Sequence, residues 1–292
     1  MRTSEMTPPV DLIPAQRQRL WGWPAVANFT LGGIGAGLYG TAVLTAGFER
    51  APAVTLCSWL APLFVLAGFA AVAAEAGRPL RGPRVLLKVR TSWMSRELWI
   101  GGAFVLLAFA DILYPHRMLR APALVAAVLL ALAQGFILSR SRGVAAWDVP
   151  TMPWLFLLSA AVSGSGAYML LEVLSGRAVS PAVLLASIGL LILGFWAGRA
   201  YVATPAGQAF REATASLRDG SAGRVAAGLG GALPLAALAL ALASPGLAAP
   251  AAALAGLCML AGQIHVKGEL VVRAGFLRPI TVTGLKMSRR LP

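Results

Sequence analysis

Histidine and cysteine are almost missing from this chain: two of each in 292 residues. A structural zinc or an iron–sulfur cluster needs about four Cys or His ligands, so neither is expected within it. Cys57 and Cys258 lie in or beside apolar runs, and no disulfide is expected. His116 and His265 fall at opposite ends of the apolar pattern, about 30 Å apart if that pattern crosses a bilayer. They cannot ligate one haem, so no haem is expected. Acids are scarce too, 11 against 25 Lys and Arg. No chain of carboxylates crosses the middle of the apolar runs, as a proton pump normally requires. Charged residues of both signs make up 12% of the chain, about half the share in a soluble domain.

Apolar residues fill the chain instead, at 58% of the total with a mean hydropathy of +0.75. They fall into eight runs, 23–46, 53–76, 97–115, 121–139, 151–174, 181–203, 223–243 and 246–266. Each has the length of a membrane-spanning helix, and a spanning segment must satisfy its own backbone, which excludes isolated strands. The expected fold is an all-α integral membrane protein of eight transmembrane helices, arranged as two four-helix bundles. Residues 1–22 form an N-terminal segment, 23–266 the membrane domain and 267–292 a C-terminal tail. The first run is too long for the core of a signal peptide, and Pro8, Pro9 and Pro14 precede it. It reads as an uncleaved first span.

The net charge of +14 would suit nucleic acid, but the basic residues stand at the ends of apolar runs. That placement is a topology signal, and no nucleic-acid partner is expected. Of the 25 Lys and Arg, 21 fall on the side of the N-terminus; the other four are Arg50, Arg117, Arg120 and Arg177. The positive-inside rule then places both termini in the cytoplasm of a multi-pass protein in a bacterial inner membrane. The densest basic stretch, Arg78 to Glu97, carries six Lys or Arg and one acid.

Gly35-Ala-Gly37-Leu-Tyr-Gly40 matches the dinucleotide fingerprint literally, but it sits inside an apolar run with no strand before it. Close helix packing, including Gly33-x-x-x-Gly37, accounts for it better. Polar residues within the runs are few. Asn28, Glu75, Trp21 and Trp23 gather at the leaflet of the N-terminus, where the tryptophans would also serve as interface anchors and Glu75 as a simple partner of Arg78. Asp111 and Glu172 are expected to be solvated at the other side, and Gln134 and Gln263 to bond between helices. A polar cluster at one leaflet suits an amphipathic ligand entering from lipid, such as a quinone.

Three words then stand in order: Trp21-Gly-Trp23-Pro with Leu31-Gly-Gly33-Ile-Gly-Ala-Gly37, Glu75-Ala-Gly77-Arg78-Pro79, and Thr91-Ser-Trp-Met-Ser-Arg-Glu97. Together they resemble the NrfD/PsrC family, the membrane subunits of polysulfide reductase and its relatives. The resemblance covers the first third of the chain by motif and the rest by topology. It implies a subunit that exchanges electrons between a partner iron–sulfur subunit and a membrane quinone, menaquinone or ubiquinone. A molybdenum or tungsten pterin catalytic subunit completes such a complex. Glu75 would then handle protons, biased by Arg78. Asn28 would bond the ring, and Trp21, Trp23 and Trp93 would wall its slot. Ser95, Arg96 and Glu97 would dock the partner. The chain departs from the family at Leu31, where some members carry His, and at Phe136 in the fourth run, where a Tyr would be expected. The charge count adds a cytoplasmic catalytic module, suited to sulfite or an acyl-CoA substrate. The other readings are a pure membrane anchor and a small-solute transporter. Reporter fusions within residues 80–90 should read cytoplasmic; a periplasmic signal there would reverse the orientation.

Overall fold

The computed structural model describes residues 10–49, 52–75 and 86–282. Helices dominate it: α1 (Trp23–Thr45), α2 (Pro52–Glu75), α3 (Trp93–Leu113), α4 (Arg117–Ser139), α5 (Met152–Leu174) and α6 (Pro181–Val202). Two short helices follow, α7 (Gln208–Ala213) and α8 (Ala215–Arg218). They lead to α9 (Ser221–Ala243), which carries a π turn at Gly228–Ala232. The last long helix, α10 (Pro245–Arg273), opens in a 3-10 turn and closes in a π turn at Glu269–Arg273. A small antiparallel ribbon pairs β1 (Val10–Ile13) with β2 (Ile280–Val282), so the two ends of the described chain lie together at one end of the helices.

Six helices, α2, α4, α5, α6, α9 and α10, are long and apolar enough to cross a membrane. α1 is diluted by its glycines, and α3 carries Arg96, Glu97 and Asp111. Both helix starts that differ most from the apolar pattern have a local cause. α3 begins four residues early because the Ser92 hydroxyl accepts from the Ser95 amide, an N-cap. α4 begins at Arg117 because the His116 ring accepts from the Met118 amide, taking two arginines into the helix that hydropathy had excluded.

The long helices sort into two groups of four. In the first, α1 packs on α2, α2 on α3, α3 on α4, and α4 back on α1. In the second, α5 packs on α6 and α10, and α9 packs on both α6 and α10. α1 and α4 join the groups by packing on α5. α1 is therefore mostly surrounded by protein, and most of its residues are buried. α6, by contrast, exposes Leu185, Ile192, Leu193, Phe195 and Trp196.

Glycine sets the closest approach. A Cβ on Gly37 would collide with the Ala160 carbonyl of α5, and one on Gly164 would collide with the Gly37 backbone. This contact holds the two groups together, as expected of small residues at a membrane helix interface.

The end of the bundle away from β1 is closed by ion pairs. Asp111, expected in solvent, is buried and joined at 3.0 Å to Arg120, which is buried too. Arg120 also donates to the Phe48 carbonyl at 2.7 Å. Phe48 has a left-handed backbone, φ 66°, a conformation a bulky residue adopts only when held, and Arg120 supplies that hold. Glu172, also expected in solvent, is buried and bonded to Arg177 at 2.7 Å. That bond holds the Arg177 guanidinium above its usual range. The correction has one cause: a charge at the end of a helix stays in the bundle when its partner is within reach.

Gly37→Val should lower the melting temperature in detergent by an amount equivalent to about 1–3 kcal/mol. Gly189→Ala, whose new methyl meets nothing within 4 Å, should leave it unchanged.

Candidate functional site

Helix α1 starts with proline in its first turn and carries Asn28 just over one turn in, about 8 Å along the axis. Asn28 is buried, and its side-chain amide donates to Glu97 of α3 at 2.9 Å. Gln134 of α4 donates from one nitrogen to the same Glu97 oxygen at 3.2 Å and to the Asn28 carbonyl at 3.3 Å. The Asn28 side-chain oxygen has no hydrogen-bond partner among the described residues and faces the backbone of Gly68 on α2. All four helices of the first group thus meet at Asn28.

The second group reaches the next residue. Lys267 of α10 is buried and donates to the Phe29 carbonyl at 3.0 Å. Its ammonium also stands 5.8 Å from the centre of the Phe156 ring. A carbonyl inside a helix is normally shielded by the side chain one turn on. Here the residues one turn on from Asn28 and Phe29 are Gly32 and Gly33. A Cβ on Gly32 would collide with the Gln134 amide, and one on Gly33 would stand 2.9 Å from the Lys267 ammonium. The glycine pair read as a packing surface therefore also opens two carbonyls to side chains.

Glu97 and Lys267 are both buried, and neither forms an ion pair among the described residues. Two amides satisfy the carboxylate, and one carbonyl and a ring face satisfy the ammonium. Leaving a buried charge without a counter-charge costs several kcal/mol. This placement of two such groups against one turn of α1 is the most demanding feature of the structure.

The expected site residues divide. Asn28 stands at the centre of the cluster. Trp21 packs on Phe29 and Trp147, with ring centres 5.7 and 5.4 Å away. Trp93 stacks on Phe136 at 4.2 Å, with the Arg96 guanidinium over its ring at 4.4 Å. Trp23 is exposed and leans on Gly268. The three tryptophans therefore have separate neighbours. Ser95 and Glu97, expected on a docking surface with Arg96, are buried. The early start of α3 takes both into the helix, and Glu97 faces Asn28 of α1. Arg96 is half-buried and donates to the carbonyls of Val89 and Arg90, tying down the approach to α3. Glu75 is the last residue of α2; its side chain and Arg78 lie outside the described residues. Gln134 does bond between helices. Lys267 went unremarked in the sequence, where it looked like the first charge after the last span. The signal for it was the Gly32-Gly33 pair, which leaves room for a long side chain.

Gly32→Ala should displace the Gln134 amide and cost about 1–3 kcal/mol of stability in a detergent melt. Gln134→Ala should cost little more in that background, because both changes remove the same hydrogen bonds. In comparisons with known proteins, the chain matches no family model and no curated protein.

Proposed function

We propose that this chain is the quinone-reactive membrane subunit of an electron-transfer complex, with Glu97 as its proton-handling acid. The observation that carries the reading is the buried Glu97 carboxylate, held by Asn28 and Gln134 and unmatched by any cation among the described residues. A quinone supplies a carrier of two electrons and two protons. Its ring carbonyls require hydrogen-bond donors in an apolar surround. The carboxyl that would serve it turns from acceptor to donor when protonated, and that protonation would release the Asn28 and Gln134 amides now donating to it. On the same two helices as Glu97 and Gln134, Trp93 and Phe136 stack on each other and would supply apolar surface to the ring. Asn28 and Gln134 orient the carboxyl, and α1 keeps it away from bulk water. An iron–sulfur subunit would dock at the β1 end, with Arg96 among its contacts, and a molybdenum or tungsten pterin subunit beyond it.

In this reading α1 and α3 cross the inner membrane with the other six helices, and both termini are cytoplasmic. The charges support that orientation. Arg117, Arg120 and Arg177 at the far end are each paired with an acid, Glu49, Asp111 and Glu172. Arg140, Arg142, Arg199, Arg211 and Arg218 at the β1 end have no such pair among the described residues, so the unneutralised positive charge is one-sided.

A transporter is the second reading. An ionisable residue inside a membrane bundle is a feature of transport proteins, and Lys267 lies on α10, which carries a π turn as α9 does.

Glu97→Gln should lower quinol-linked turnover of the assembled complex on the order of 100-fold. Dye-linked activity of the soluble subunits should survive. An unchanged quinol rate would remove Glu97 from the reaction. Solute-driven proton movement by the chain alone in vesicles would favour the transporter.

A further inference from the structure

A cavity of about 440 Å³ opens between α5, α6, α9 and α10. It runs along α6 from Leu191 to Val202, about 16 Å of helix axis. Its two ends differ in chemistry. The deep end is apolar, lined by Leu158, Val162, Leu191 and Phe195, and α9 and α10 touch beside it where Gly230 meets Gly262. The end toward β1 is lined by Arg199, Arg218 and Arg224, with Asp219 as the one acid among the lining residues. Lys267 lines the wall between them.

None of these four cations forms an ion pair among the described residues. Arg218 is nonetheless held in place, donating to the Val202 carbonyl at 3.0 Å and to the Thr214 hydroxyl at 3.2 Å. Arg199 and Arg224 are exposed at the rim. The cavity therefore offers a fixed guanidinium and two at the rim, Arg224 donating to the Asp219 carbonyl at 3.4 Å, at one end of an apolar channel; the Lys267 ammonium is already held by the Phe29 carbonyl. Guanidinium groups bind phosphate oxygens in pairs of parallel hydrogen bonds. Basic pockets between membrane helices hold anionic lipid headgroups.

We propose that this cavity is a binding site for an anionic phospholipid. Arg199, Arg218 and Arg224 take the phosphodiester, and an acyl chain lies against Leu158, Val162, Leu191 and Phe195. The ligand bridges α6 and α9 at the place where the second helix group is least closed by protein. The site is separate from the Glu97 cluster and does not depend on the redox reading.

The test uses the full chain, delipidated in detergent and followed by native mass spectrometry with defined lipids. Phosphatidylglycerol should be retained at least ten-fold better than phosphatidylcholine. Arg218→Gln with Arg224→Gln should remove that preference without loss of the folded, monodisperse peak. Leu158→Trp, which fills the channel and leaves the arginines intact, should weaken retention of phosphatidylglycerol by a similar factor. Equal retention of the two lipids would overturn the proposal, as would an unaltered preference in the double variant. Displacement of the lipid by millimolar inorganic phosphate would make this a free-anion site and overturn it too. Retention of a neutral quinone in place of the phospholipid would do the same.

Discussion

The carbonyls of Asn28 and Phe29 are reached by Gln134 and Lys267 because glycines stand one turn further along α1. Those two hydrogen bonds come from different helix groups and land on adjacent residues. α1 thereby becomes the shaft on which both groups are registered. The contact of Gly37 with Ala160 and Gly164 fixes the same helix further along. A chain with ordinary side chains at Gly32, Gly33 and Gly37 would hold α4, α5 and α10 farther from α1. The buried carboxylate and the buried ammonium would then have lost their partners.

The two ends of the bundle are built on opposite electrostatic plans. At the far end each described arginine is matched by a carboxylate, and Arg120 also clamps the turn at Phe48. That end is closed and neutralised. At the β1 end Arg273 and Arg278 are paired with Glu269 and Asp148, but other charges are separated. Glu97 and Lys267 stand apart, each satisfied by neutral dipoles, and the arginines around the α6–α9 cavity are left for other partners. Separation of this kind costs folding energy, which is why it marks the end where ligand and partner chemistry is proposed. The tail beyond α10 covers the same end: Trp147 donates to the Leu270 carbonyl, and Arg278 pairs with Asp148.

The order and approximate length of the helices were legible in the sequence, and six of the eight expected spans are long and apolar enough to cross a membrane among the described residues, because a spanning helix must be apolar over its whole length and its charges must cluster at its ends. The apolar runs matched the helices to within a few residues except where a polar cap or a buried charge intervened. Ser92 and His116 lengthened α3 and α4 by capping. Asp111 and Glu172 looked solvated because hydropathy assigns each residue alone, and a buried ion pair belongs to two residues at once. Asn28 was legible as a polar residue in an apolar run. Its partners were not, since 69 residues separate it from Glu97 and 106 separate it from Gln134.

Composition and charge order by themselves determined that this is a multi-helix membrane protein with one strongly basic side. Bulk solvation is additive along the chain, so it can be read from the chain. Which polar groups share a site was decided only by the tertiary structure. Glu97 stood in a basic stretch that looked like a docking loop, and Lys267 stood in what looked like the start of a tail. Both became interior residues because α1 presents bare carbonyls at a turn where two glycines let other helices come close. Such a site depends on close approach in three dimensions, and only the packing of the helices supplies it.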